Sequence, residues 1–354
     1  MAGPGSLRPG ATSIAGVANF GDLQNEIYLA GLSGVVPSLP MSFAELERRA
    51  ELALPPGTWS YVAGGAGDEH TQRSNRTAFD HWGVVPRMLR ASTDRDLSVE
   101  LFGMTFGTPV FLAPIGVIGI CTQDGHGDLA AARAAAATGV PMVASTLSED
   151  PLEDVAAEFG QTPGFFQLYC PTDPEVAASL VHRAEAAGYR AIVVTLDTWV
   201  TGWRPRDLAT SNFPQLRGRC LKTYFSDPVF RSRLAKPPEE DPGAAILAWA
   251  LMFGRPLAWD DLAWLRSLTA LPLVLKGICH PGDGVRSGSD VVKALALGAT
   301  AVGIGRPYVY GAALGGTDGI VHVLRTILAE ADLLMAVDGY PALADLGRDA
   351  IRRT

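Results

Sequence analysis

The chain has 354 residues, 47% hydrophobic and 19% charged, with a formal net charge of −8. This is enough apolar material for the core of one barrel-sized domain. An acidic balance with no basic stripe argues against a nucleic-acid partner.

No apolar run approaches ~18 residues, so no membrane partner is expected. The first twenty residues, "MAGPGSLRPGATSIAGVANF", lack a basic start followed by an apolar block, and a cytoplasmic protein is expected. The four cysteines, Cys121, Cys170, Cys220 and Cys279, are far apart and show no paired metal-type spacing. They read as buried or idle thiols in a reducing compartment, and no metal is expected.

Residues 1–40 read as a flexible lead-in and 41–354 as a single domain. "SFAELERRAELAL" opens with Ser42 and Glu45 at capping-box spacing, which predicts a helix. In "TWSYVAGGAGDE" the glycines from Gly64 to Gly67 end a short helix in a turn. Then short apolar runs alternate with polar-faced helical runs. The strand candidates are Pro109–Gly116, Pro141–Thr146, Phe165–Tyr169, Ala191–Thr198, Leu271–Ile278 and Ala301–Pro307. The helical runs between them include "GDLAAARAAAA", "EVAASLVHRAEAAG" and "DVVKALALG".

Continuous apolar strands alternating with helices predict an α/β fold with a parallel sheet covered on both faces. An open doubly wound sheet and a closed (β/α)8 barrel both fit this pattern. Two details favour the barrel of TIM type. Ser145, Gln167, Tyr169, Thr195 and Lys276 sit at the C-terminal ends of strands, where barrel enzymes place their chemistry. "GVRSGSD" and "GIGRP" are glycine turns feeding late helices, as in a barrel phosphate site. The segment 199–242 exceeds an ordinary connection, and its aromatics and arginines read as a lid over the barrel mouth.

Taken together, "YVAGGAGDEHT", "APIG", "STLSEDPLEDVA", "FFQLY", "TLDTWVTGWRPRDL", "LPLVLKGI", "GVRSGSDVVKALALGA" and "GIGRPYVYGAALGG" resemble the FMN-dependent 2-hydroxy-acid oxidases and dehydrogenases. "GWRPRDL" and "LKGICHP" are most similar to the lactate 2-monooxygenase branch. The resemblance implies FMN on the strand ends. Pro114, Ile115 and Gly116 would face the flavin ring, and Ser145, Gln167 and Thr195 would bond its polar edge. Lys276 would stabilise the reduced flavin, while Arg286, Gly305 and Arg306 would hold the phosphate.

Tyr61, Tyr169 and Arg204 would surround the substrate carboxylate, with Lys276, Tyr169 and Arg204 serving the chemistry. A guanidinium fork suits a carboxylate because it forms two parallel hydrogen bonds. The implied partners are a small (S)-2-hydroxy carboxylate such as lactate or mandelate, O2 as oxidant, and further copies of the chain in a homotetramer. The product would be the 2-oxo acid or its decarboxylated form.

The chain departs from the family at one place. The family's base is the histidine of a Ser-Asn-His-Gly-Gly-Arg run at the end of the sixth strand, and no such run is present. The Asp-Gly-Gly or Asp-Ser-Gly start of the phosphate turn is also missing, since Asp283 lies one place too close to Val285 and Arg286.

Between Ile278 and Ser289 there is no room for a helix and another strand, as a crossover needs at least ~10–12 residues. Unit six and most of unit seven are therefore expected to be absent, about 50 residues at roughly 30 per unit. Either the deletion is real, or the chain is a splice-like variant, a damaged frame or an incomplete record of a normal enzyme. His280 is a surface or helix-start histidine on this reading, with a substitute base as the alternative.

Three functions follow. The chain oxidises 2-hydroxy acids, or it is an inactive FMN-binding relic, or it is an interaction partner of an intact paralogue that no longer binds flavin.

Overall fold

All six strand candidates become strands, five of them shorter than their apolar runs and the one expected at Phe165–Tyr169 shifted by one residue. The computed structural model describes residues 19–278 and 284–354. In chain order the strands are β1 (Trp82–Val84), β2 (Val99–Leu101), β3 (Met104–Phe106), β4 (Val110–Leu112), β5 (Met142–Ser145), β6 (Gly164–Leu168), β7 (Ile192–Thr195), β8 (Leu273–Lys276), β9 (Val302–Ile304) and β10 (Ile351–Arg353). The pairs β1–β10 and β2–β3 are small antiparallel ribbons. The other six form one parallel sheet in the order β8-β7-β6-β5-β4-β9.

This order is that of a strand–helix barrel followed round from one edge. Each strand from β4 to β8 pairs with its sequence neighbour, and the last strand, β9, returns to pair with the first, β4. The sheet does not close, because β8 and β9 are its two ends and do not pair with each other. Among the described residues one helix, Gly288–Ala296, lies between them in the chain. Burial follows this openness. Every residue of β5, β6 and β7 is buried, whereas all four of β8 are only partly covered.

The outer layer is helical. Helix Gly127–Thr138 buries Ala130, Ala131, Ala132, Ala134 and Ala135, small side chains that let it lie close against the helical segment Arg306–Asp338. That segment is broken at Gly315 and Gly316, whose backbone is non-helical.

Ser42 caps helix Phe43–Ala53 by accepting from the Glu45 N–H at 3.4 Å, as the capping spacing predicts. Helix Pro56–Ala63 ends at Gly64. The stretch read as a flexible lead-in contains a helix, Asp22–Gly31. It is tied down by Gly21 N–H to Asp332 (2.7 Å) and an Arg325–Glu26 ion pair (2.6 Å).

Candidate functional site

The parallel register aligns the C-terminal residues of adjacent strands. Ser145 is opposite Gln167, and Thr195 is opposite Lys276. The Ser145 hydroxyl donates to Gln167 Oε1 at 3.0 Å, and Gln167 Nε2 donates to Thr195 Oγ1 at 2.9 Å. Ser145, Gln167 and Thr195 are all buried. Buried polar side chains need partners, and here three consecutive strands supply them to one another. Thr195, used as an acceptor, keeps its own proton to offer a ligand.

Beside β9 lies a cavity of about 640 Å³ lined by Gln72, Asn75, Arg286, Gly305 and Arg306, among others. It continues past Ala301, Val302 and Gly303 along the free edge of the sheet. Arg306 and Ile115 also line a smaller neighbouring cavity of about 190 Å³, together with Tyr61, Pro114 and Gly116. Pro114, Ile115 and Gly116 and the Arg286–Gly305–Arg306 group thus line two cavities that share Ile115 and Arg306.

Arg306 opens a helix immediately after β9, where free N–H groups favour an anion. Its guanidinium donates to the carbonyls of Val62 (3.0 Å) and Gly64 (3.2 Å) and to Gln72 Oε1 (2.8 Å). Arg286 lies over the Phe43 ring, 5.2 Å from its centroid, and donates to the Val285 carbonyl at 2.8 Å. The turn that carries it is set by Asp290, which accepts the Arg286 N–H at 2.9 Å, and by Ser287 capping the next helix. Gly288 is required there. A Cβ would fall 2.3 Å from the Ala331 nitrogen and 2.5 Å from the Ile327 oxygen.

Among the described residues neither Arg286 nor Arg306 has a carboxylate within ion-pair distance. Burial, and then the charge of Arg306, hold the Arg286 guanidinium below its ordinary value. A bound phosphate would relieve both effects, so the donor set fits the phosphate end of FMN.

Arg204 lies over the Tyr61 ring (5.0 Å to the centroid) and donates to the Tyr61 carbonyl and to Asp207, each at 2.5 Å. The Tyr61 hydroxyl accepts from Gln215 Nε2 at 3.0 Å. Segment 199–242 is therefore anchored on helix Pro56–Ala63, and Gly67 N–H reaches the Trp203 carbonyl at 2.9 Å as well. Tyr169 packs against Phe253, with ring centroids 5.2 Å apart. Burial, reinforced by Tyr61 and Asp197, pushes its phenol up. It is a neutral donor throughout the ordinary pH range. Arg204 and Tyr61 come together as expected, but two guanidinium nitrogens already have protein partners.

Lys276 Nζ lies 3.3 Å from both carboxylate oxygens of Asp197. Asp197, Gln72 and Asn75 at this face were not singled out from sequence. "TLDT" and "YVAGGAGDEHT" contain or adjoin them, but nothing local marks an exposed aspartate as the partner of a lysine on another strand. The thiols of Cys121, Cys170 and Cys220 are free and buried, and burial pushes them up, Cys121 to about 12 and Cys170 to about 11. Cys279, His280 and Asp283 lie outside the described residues. Among those described, no group of three His, Cys, Asp or Glu could hold a metal, and no helix is long and apolar enough to cross a membrane.

The FMN-dependent dehydrogenase family matches residues 50–283 and 282–353. The FMN-dependent alpha-hydroxy acid dehydrogenase qulF of Penicillium citrinum is 36% identical over 389 residues, covering 95% of this chain and 96% of that protein. That alignment is longer than the 354-residue chain. An L-lactate oxidase of Lysinibacillus sphaericus is 34% identical over 91% of this chain and 95% of its own length. Among solved structures, an oxidized active mutant of (S)-mandelate dehydrogenase superposes with a TM-score of 0.78 at 30% identity, covering 89% of this chain and 99% of the other. With matches that run through both halves of the open sheet, the chain belongs to the FMN-dependent dehydrogenase family.

Proposed function

We propose that this chain binds FMN and oxidises a small (S)-2-hydroxy acid, lactate- or mandelate-like, with O2 as the final oxidant, and that it does so slowly because its proton acceptor is missing. The observation that carries the flavin site is the pair Arg286 and Arg306, two guanidinium groups on one cavity with no carboxylate of the described residues between them. Pro114, Ile115 and Gly116 line the smaller cavity that shares Arg306 with it, and the Ser145–Gln167–Thr195 chain ends strands of the same sheet, which supports a flavin running from phosphate to ring.

FMN, when bound, accepts the two electrons of the oxidation. The rest falls to the chain. Arg204 would grip the substrate carboxylate, and Tyr169 would donate a neutral hydrogen bond to it or to the 2-hydroxyl. Tyr61 and segment 199–242 would close over the pair and keep water out. Lys276 would hold a positive charge near the polar end of the ring. The remaining task, accepting the hydroxyl proton, would belong to the histidine of a Ser-Asn-His-Gly-Gly-Arg run, which the chain lacks. Positioned proton transfer contributes typically ~10²–10⁴-fold, and turnover should fall by that order.

Loss of the segment between β8 and helix Gly288–Ala296 is supported by the two free sheet edges, by the break in the family match at 282–283, and by an alignment longer than the chain. "GWRPRDL" and "LKGICHP" favour the lactate 2-monooxygenase branch, and further copies of the chain would assemble as a homo-oligomer in the cytoplasm. The test is anaerobic mixing of the purified chain with lactate and with mandelate while the flavin absorbance is followed. Slow bleaching supports the proposal. Rapid bleaching shows that another group accepts the proton, and a colourless protein removes the flavin site altogether.

A further inference from the structure

Lys276 ends β8, an edge strand whose outer side is open. Asp197 follows β7 by two residues. The two strand ends stay in register past the sheet, because the Leu196 N–H donates to the Lys276 carbonyl at 2.9 Å. This places the Asp197 carboxylate symmetrically against the ammonium, 3.3 Å from each oxygen. The Thr198 hydroxyl donates to Asp197 Oδ1 at 2.9 Å and helps to hold it there. Gly277 makes room. Its φ is +107°, and a Cβ would lie 3.0 Å from the Asp197 Cβ. Among the described residues Asp197 is the one carboxylate within ion-pair distance of Lys276.

We propose that Asp197 tunes the flavin site through Lys276 by neutralising the charge that Lys276 would otherwise present to the ring. The pair is partly exposed, 37% and 40% for the two side chains, so its contribution to folding stability is small. Its electrostatic consequence is larger. A lone ammonium attracts a developing negative charge over several ångströms, whereas an ammonium with a carboxylate at contact distance presents only a dipole, whose field falls off faster. With Asp197 in place the site favours added negative charge weakly, and removing the carboxylate strengthens it. Asp197 acts through Lys276 and is a positioning residue, not a catalytic one. The inference rests on the proposed reading that Lys276 faces the flavin.

Sulfite is the probe, since it adds through sulfur to the flavin and leaves a negative charge on the ring, with an absorbance change and no turnover. Asp197→Asn is expected to lower the sulfite dissociation constant about three- to tenfold. Lys276→Met is expected to raise it by a similar factor, and the double variant should behave as Lys276→Met alone. The rate of acetylation of Lys276, read by mass spectrometry in the flavin-free chain, reports the pairing without flavin and should be higher in Asp197→Asn than in the parent chain.

An unchanged sulfite constant in Asp197→Asn, or a double variant that keeps the full Asp197→Asn effect, overturns the proposal. So does identical acetylation of Lys276 in both chains. A chain that retains no flavin removes the flavin site and this inference together. A chain that retains flavin but shows no sulfite change removes this inference alone.

Discussion

Arg286 and Arg306 border one cavity from two different units of the fold, and Arg306 helps to depress the Arg286 guanidinium because no carboxylate of the described residues stands between them. Two like charges held together in this way cost free energy unless an anion joins them.

The first prediction follows from that pair. Arg286→Met should weaken FMN binding about tenfold or more, the value of one charged hydrogen bond, and leave riboflavin binding unchanged because riboflavin has no phosphate. Fluorescence titration of the purified chain with both flavins checks this. An equal loss for both would place Arg286 away from the phosphate. The flavin released on denaturation should be FMN, and recovery of FAD would count against the site as drawn.

Arg204→Lys should weaken a carboxylate ligand such as oxalate by ~1–3 kcal/mol, about ten- to a hundredfold, while FMN affinity holds. Lysine keeps the charge but loses the fork and the stacking over Tyr61. Titration of the flavin spectrum with oxalate measures the change. No change would mean that Arg204 serves only to anchor its segment through Asp207 and Tyr61.

Asp128 gives stability a pH dependence. Its carboxyl is fully buried, and burial pushes it up to about 7 against hydrogen bonds from Ser148 and the Glu149 N–H, with Asp150 adding to the rise. Folding therefore favours the protonated form. The contribution is fully present below the unfolded value near 3.9 and is lost as pH rises through about 7. Asp128→Asn stays neutral at every pH, so it carries no such cost. The variant should gain on the parent in urea midpoint at pH 8 and not at pH 5. An equal difference at both pH values would show that Asp128 is not titrating.

Grafting a strand–helix–strand segment carrying Ser-Asn-His-Gly-Gly-Arg between Pro281 and Gly284 should raise both the thermal midpoint and the rate of flavin bleaching by lactate or mandelate. It would pair the free edges of β8 and β9 and return a base to the site. Circular-dichroism melting and anaerobic stopped-flow absorbance are the readouts. A grafted chain that folds but bleaches no faster would show that the histidine run is not what limits this protein.

Much of the architecture was legible because it is locally encoded. Each of the six runs from Val110 to Ile304 is apolar enough to be buried and too short for a helix, so strands and their order could be read one by one. Ser145, Gln167, Thr195 and Lys276 stood out because polar residues at the ends of buried strands must find partners. That the interval after Ile278 is too short for a helix and another strand was a matter of counting residues.

Other features depend on how distant segments meet. That the sheet stays open between β8 and β9, that Arg286 and Arg306 share a cavity, that Arg204 spends two nitrogens on Asp207 and Tyr61, and that Lys276 is paired with Asp197 are all set by the curvature and packing of the whole sheet. A chain can specify through its own apolar period that a strand forms. Which side chain stands 3.3 Å from which, here two that are 79 residues apart, is decided only when their strands come into register.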